Sequence, residues 1–225
     1  LLKKAMIIKK FWKLYPKSKK RQKIKSNRIK VKRKLRNELQ KFGKKYFDGK
    51  REHGYGGYYY NPKFFRKITK KIIKHYKIKN GDKILDIGCA KGFMMYEFKK
   101  FLPKSEIYGL DISRYCKINA VHSIKKNIKI GSCTKIPFKD SFFDFVISIS
   151  TIHNLSKSKI PVAIKEINRV KKDKSFIRVK GYKNLKEKKF IEEWNLVAKS
   201  NLSIKEWLSI FKKTNYDGDY DFAKF

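Results

Sequence analysis

The chain is poor in several things that would point to a special chemistry. Its three cysteines, Cys89, Cys116 and Cys133, are irregularly spaced. They fit neither a disulfide framework nor a CxxC zinc pattern, so a reducing, cytoplasmic setting and no metal site are expected. No apolar run approaches the roughly 20 residues needed to span a bilayer, which argues against a transmembrane segment. Acids are scarce: 19 Asp and Glu face 60 Lys and Arg, a formal net charge of +41. Arginine is scarce as well, at nine of those 60. Bidentate readout of phosphates and bases favours arginine, so an excess carried by lysine reads as compositional bias. The alternative is an electrostatic footprint for nucleic acid or anionic lipid. The chain begins Leu1-Leu2 rather than with methionine, as a fragment, a processed form or a misplaced start would.

Hydrophobic residues make up 41% and aromatics 15% of the 225 residues, enough for one buried α/β domain plus a terminal extension. Basic residues are densest at the front, where residues 1–50 hold 21 Lys and Arg against two acids, Glu38 and Asp48. Residues 1–15 place apolar positions 5, 8, 12 and 15 on one helical face between lysines, as a surface or membrane-interface helix would, and Pro16 ends them. Residues 17–45 read as a solvated helix or partly disordered arm. The expected organisation is a basic extension over 1–45 and one domain over 46–225.

Residues 46–61 change character, with glycines and five tyrosines crowding around His53. Mobile glycines beside large amphipathic rings suit a lid over a site, with Tyr55, Tyr58 and Tyr59 as its contacts. A tyrosine-rich turn packed on a sheet edge is the plainer reading. Asn61-Pro62 then supplies a helix N-cap and a proline at the first helical position. From residue 80 onward strands alternate with helices. Strands are expected at 83–87, 106–110, 127–130, 143–149, 175–182 and 219–225. Helices are expected at 92–102, 113–123, 160–170, about 185–200 and 203–213. Such alternation implies a Rossmann-like, mostly parallel sheet with right-handed crossovers and helices on both faces.

In an open parallel sheet a ligand binds beyond the carboxyl ends of the strands. Asp86 closes the first strand there, and Gly88, Ala90 and Gly92 follow at alternate positions. Small residues let backbone approach a ligand, and the following helix aims its N–H groups at it. Asp111 ends the second strand, where a carboxylate can accept both hydroxyls of an adenosine ribose. A dinucleotide fingerprint would place a third glycine at position 93, but Phe93 stands there and would obstruct close helix–strand packing.

Four ordered blocks, LDIGCAKGF, YGLDIS, GSCTKIPFKDSFFDFVIS and INRVKKDKSFIRVKGY, resemble class I S-adenosylmethionine-dependent methyltransferases of the type 11 group over residues 60–182. The resemblance implies S-adenosyl-L-methionine as cofactor, held by Asp86, Gly88, Ala90 and Gly92, with Asp111 on the ribose and Ile112 packing beside it. Family members commonly have an acid after the third-strand glycine to bind the adenine amino group. This chain has Gly131-Ser132-Cys133, so Ser132 or a backbone group must serve.

The segment after the fourth strand, SISTIHNL, faces the transferable methyl group in the resembling family. His153 there has a side chain suited to deprotonating a hydroxyl or thiol, and Asn154 could bind substrate or cap the next helix. Enzymes that methylate exocyclic base amines carry Asn/Asp-Pro-Pro-aromatic at this point, unlike the Ser-Thr-Ile-His-Asn found here. A small-molecule acceptor is therefore expected. The alternatives are an RNA methyltransferase docked through residues 1–50, or a non-catalytic nucleic-acid-binding protein with a vestigial fold.

Overall fold

A computed structural model describes Phe11, residues 33–55 and residues 58–223. The expected helix over 1–15, most of the 17–45 arm and Gly56-Gly57 of the tyrosine segment lie outside the described residues, Phe11 excepted. So does most of the stretch assigned to nucleic-acid docking.

Two short helices come first, α1 at Arg33–Leu39 and α2 at Lys44–Phe47. Helix α3, Pro62–Tyr76, begins where the sequence places it, with the Asn61 side chain accepting from the Lys63 N–H at 3.0 Å. Then follow β1 Lys83–Ile87, α4 Phe93–Phe101, β2 Glu106–Asp111, α5 Arg114–Ile118, β3 Ile128–Ile130 and β4 Phe143–Ile149. The chain continues through α6 Ile160–Val170, β5 Lys171–Val179, α7 Leu185–Trp194, α8 Ile204–Lys213 and β6 Asp219–Phe222.

The six strands form one sheet in the order β3-β2-β1-β4-β5-β6, with every described pairing parallel. Strands buried on both faces read as continuous apolar runs, as in the FDFVISI of β4. One face is covered by α6 and α8, whose Ile160, Ile164, Ile167, Trp207 and Phe211 pack on Leu85, Val146 and Ile177. The opposite face carries α3 and α4, with Ile68, Ile72, Met95 and Phe98 against Ile84, Ile107, Phe145 and Phe176. Phe11 joins this second core, edge-on to Phe176 at 5.5 Å.

Three elements depart from expectation. The helix expected over 113–123 stops at Ile118 and gives way to a 3-10 turn over His122–Asn127. Between them the Val121 N–H donates to the Lys91 carbonyl at 3.1 Å, which draws the chain across the β1–α4 turn. Strand β5 starts at Lys171 rather than 175, because Lys171 is buried and paired with Asp217 at 2.7 Å. Helix α7 ends at Trp194, well short of 200, and buried Asn195 turns the chain inward.

The described part of the basic extension does not stand off in solvent. Leu39 is buried against Leu196 and Val197, and Phe47 against Ala90 and Cys116. The Phe42 carbonyl accepts from the Ser113 hydroxyl at 2.6 Å. Helices α1 and α2 thus lie over the carboxyl end of the sheet.

Candidate active site

The strand order reverses between β1 and β4, and the crevice of an open parallel sheet lies at such a point. A cavity of about 1680 Å³ opens there. Ligand sites usually span roughly 300–1,000 Å³, so the volume exceeds what one small molecule fills. Asp86, Asp111, Ser132, His153 and Arg178 all line it, carried by the ends of β1 to β5.

The turn after β1 bends by three left-handed residues at alternate positions, Gly88 at φ 73°, Ala90 at φ 49° and Gly92 at φ 74°. Glycine is favoured in this region because it lacks a Cβ. The crowding at these glycines comes from the protein itself. A Cβ on Gly88 would lie 2.0 Å from the Thr151 hydroxyl oxygen, and one on Gly92 would lie 2.3 Å from Ile124 Cδ1. At these two positions the space that a side chain would fill is taken by Thr151 and Ile124. Thr151 in turn donates to the Ile87 carbonyl at 3.2 Å or the Ile149 carbonyl at 3.1 Å, tying the β1 and β4 ends together.

Asp111 bridges two loops. One carboxylate oxygen accepts from the Ala90 N–H at 2.9 Å and the other from the Ser113 N–H at 2.8 Å. Each oxygen keeps a second acceptor site for a ligand hydroxyl. Ile112 beside it is 55% exposed and also lines the cavity. Burial raises the Asp111 pKa against those backbone bonds. Asp86 is buried deeper, and burial together with repulsion from Asp111 pushes its carboxyl up to about 7. Two acids this close in a low-dielectric wall favour a cationic ligand, whose charge lowers the cost of ionising both. The residues present therefore fit S-adenosylmethionine, which carries a sulfonium, an ammonium and a ribose diol.

On the β3 side, the Ser132 hydroxyl pairs with the Thr134 hydroxyl at 2.8 Å and still borders the cavity. At the β4 end, His153 and Asn154 lie in a 3-10 turn, Ile152–Asn154. His153 is 3% exposed. Burial, then the cations of Lys180 and Arg178, hold its pKa well below the ordinary value, so the imidazole is neutral. Among the described residues its Nδ1 has no hydrogen-bond partner. Asn154 caps no following helix; its amide donates weakly to the Ser150 carbonyl at 3.5 Å, and Lys159 holds the cap position of α6. The three thiols are buried and held protonated, Cys116 up to about 12 and Cys133 up to about 11, with desolvation the main cause in each.

The tyrosine segment borders the same cavity through Tyr55, Tyr58 and Tyr59. It is anchored by a latch that the sequence left unmarked. Lys91, in the turn after β1 and 3% exposed, donates to both Asp48 oxygens at 2.5 and 2.7 Å and to the Tyr58 carbonyl at 2.7 Å. The Tyr115 hydroxyl donates to Asp48 at 2.6 Å. Arg178, Lys180, Phe190 and Trp194 also went unmarked; they line the far end, beyond β5. Hydrophobic alternation placed their elements, but no short motif marks a residue that meets the site only through tertiary packing.

Residues 85–179 match the family described as "Methyltransferase domain". An uncharacterized protein of Methanocaldococcus jannaschii is 35% identical over 130 residues, 58% of this chain and 47% of its own length. An uncharacterized methyltransferase of Schizosaccharomyces pombe is 29% identical over 113 residues, 44% of this chain and 40% of its own. The demethylmenaquinone methyltransferase of Staphylococcus carnosus is 32% identical over 108 residues, 46% of this chain and 44% of its own. The matched part thus spans less than half the length of each of these relatives. The YcgJ protein of Bacillus subtilis shares the fold at TM-score 0.55 and 20% identity, over 65% of this chain and 66% of its own. Phosphoethanolamine N-methyltransferase 2 of Haemonchus contortus, solved with S-adenosyl-L-methionine, does so at TM-score 0.53 and 19% identity, over 65% and 36%. With the strand order, the glycine turn and the paired acids, these likenesses place residues 85–179 in the methyltransferase domain family and give the chain the class I S-adenosylmethionine-dependent methyltransferase fold.

Proposed function

We propose that the chain is an S-adenosylmethionine-dependent methyltransferase acting on a small-molecule acceptor. One observation carries the reading: Asp86 and Asp111 share a wall of a cavity that continues past His153 and has volume for two ligands. When bound, the cofactor supplies a methyl carbon on a positively charged sulfur. Asp111 accepts from the ribose hydroxyls, and Asp86 with the turn over 88–92 faces the cationic amino-acid end. Ile112 covers the adenine, and Ser132 or a nearby backbone group meets its amino nitrogen. His153 enters the reaction neutral and takes the proton of an acceptor hydroxyl or thiol, while Asn154 orients that acceptor. Tyr55, Tyr58 and Tyr59, held by the Asp48–Lys91 latch, exclude water from the site.

The test is calorimetric titration of the full chain with S-adenosylmethionine and S-adenosylhomocysteine. Binding should be saturable, and Asp111→Ala should weaken it by about 1.5–3 kcal/mol through lost charge-assisted hydrogen bonds. Unchanged affinity in that variant would remove the ribose assignment. No binding by folded wild-type chain would remove the reading altogether.

A further inference from the structure

Charge is distributed unevenly between the helices on the two faces of the sheet. Helix α3 carries Lys63, Arg66, Lys67, Lys70, Lys71 and Lys74, all exposed, and no acid. Helices α6, α7 and α8 interleave their basic residues with Glu166, Glu187, Glu192, Glu193 and Glu206. Pairing differs accordingly. Lys157 meets Glu206 at 2.7 Å, Arg169 meets Glu166 at 2.6 Å, and Lys172 meets Asp144 at 2.7 Å. Of the six cations on α3, Arg66 lies 3.6 Å from the buried Glu97. Among the described residues the other five form no ion pair, and no acid precedes Glu38 in the chain to supply one. Composition sets how many lysines the chain has, but it does not set which face leaves them unpaired.

Positions 63, 67, 70 and 74 fall in one row about 16 Å long on the helix. Like charges at i,i+4 repel, so Lys63–Lys67, Lys67–Lys71 and Lys70–Lys74 strain the face until an anion covers it. Helix α4 packs alongside through Phe65 and Phe93 and adds the exposed Lys100. At the other end of α3, buried Phe11 lies edge-on to His75 at 5.4 Å. From that point residues 12–32 carry ten Lys and Arg and no acid. No large hydrophobic side chain is exposed on α3 or α4. A helix that enters a lipid surface needs an apolar face, a protein interface centres on buried aromatic anchors, and single strands stack their bases on exposed rings. The partner that fits presents dense, regular negative charge and keeps its bases stacked on one another. We propose that the α3 face docks duplex nucleic acid by its phosphate backbone, without reading sequence or sugar. Lysine meets phosphate as a point charge, and such contacts give affinity and register but no base recognition. Phe65 and Ile68, on the inner side of α3, border the cavity. A docked duplex and a small acceptor therefore occupy different surfaces, and the proposal stands apart from the methyltransferase reading.

The experiment follows the anisotropy of a labelled duplex of about 20 base pairs, as DNA and as RNA, titrated with the full chain between roughly 50 and 200 mM KCl. Two variants of equal net charge are compared. One carries Lys67→Gln, Lys70→Gln, Lys71→Gln and Lys74→Gln on α3; the other carries Lys186→Gln, Lys189→Gln, Lys205→Gln and Lys212→Gln on α7 and α8. All of these lysines are exposed, and each variant is checked for native circular dichroism. Wild type should bind the two duplexes within about threefold of each other, and more tightly than a single strand of the same length. The α3 variant should bind about tenfold or more weakly at the lowest salt, and its slope of log affinity against log salt should fall by about 3 to 4. The α7–α8 variant should stay within about threefold of wild type. If the α3 variant fails to fold, Lys70→Gln with Lys74→Gln is set against Lys205→Gln with Lys212→Gln, where the slopes should differ by about 2. Equal losses in the two variants, no duplex binding, or tighter binding to single strands would overturn the proposal. So would capture by phosphatidylserine vesicles that the α3 variant loses while its duplex affinity is unchanged. S-adenosylhomocysteine is titrated separately and should bind all three proteins alike. Its failure to bind would count against the methyltransferase reading and leave the docking face standing.

Discussion

Replacing Asp86 with asparagine should make the ligand-free protein more stable at alkaline pH while impairing cofactor binding. Asp86 is buried at the end of β1, and burial first, repulsion from Asp111 second, raise its carboxyl from 3.8 to about 7. A group whose folded pKa lies above its unfolded one adds stability that is fully present below the unfolded value. That stability is lost as pH rises through the folded value. The gap between 3.8 and about 7, at about 1.36 kcal/mol per tenfold change in proton affinity, makes the ionised carboxylate cost about 4 kcal/mol above pH 8. Urea unfolding of wild type and Asp86→Asn, measured from pH 5 to 8.5, isolates this group together with its coupling to Asp111, because titrations that do not interact with Asp86 cancel in the difference. The variant should gain on wild type progressively across that range. S-adenosylmethionine should act in the opposite direction: its positive charge favours the ionised form, so wild-type affinity should rise between pH 6 and 8 and the variant's should not. Parallel stability profiles for the two proteins would refute the assignment of a raised pKa to Asp86, and with it the electrostatic case for a cationic ligand.

Asp48→Ala leaves the Lys91 ammonium buried without its carboxylate. It should cost about 3 kcal/mol in urea unfolding, with most of the loss recovered in the double variant with Lys91→Met; a loss below about 0.5 kcal/mol would show the latch to be energetically idle. His153→Ala should lower methyl-transfer turnover by about 100-fold or more while S-adenosylhomocysteine affinity stays within about twofold, and equal turnover would reduce His153 to a packing residue. Gly88→Ala forces a Cβ at φ 73° into Thr151 and should destabilise by about 2–4 kcal/mol. Gly92→Ala overlaps only the far end of the Ile124 side chain, with Ile128 Cδ1 at ordinary contact distance, and should cost less, about 1–2 kcal/mol; the reverse order in thermal unfolding would contradict the packing described.

The sequence carried the sheet and the positions of the two acids at its carboxyl end for a simple reason: both are written in local patterns. Apolar runs bounded by Asn80-Gly81 and Pro103, and caps such as Asn61 and Ser113, mark the elements within a residue or two of where they lie. Where an element departs from its expected bounds, a tertiary contact overrides propensity. Lys171 reads as a loop residue by composition, yet its bond to Asp217 draws it into β5. The far half of the site was illegible for the same cause. Arg178 and Lys180 lie two residues apart among many basic residues, and only the placement of β5 beside β4 brings them to the cavity that His153 also lines. The latch was hidden likewise, since its two charges stand 43 positions apart.

The all-parallel sheet has a kinetic side as well. Parallel strands cannot be joined by hairpins, so each ladder waits for a crossover to close. The β1–β2 ladder joins Ile84 to Ile107, whereas the β1–β4 ladder joins Ile84 to Phe145 across a far longer stretch. Loop-closure entropy must be met before such distant pairings return any energy, which slows folding. Thr151 and Gly88 meet across that last seam. On a ribosome, the two halves of the cavity are therefore synthesised well apart in time, and the crevice between them exists only after β4 has left the exit tunnel and inserted beside β1.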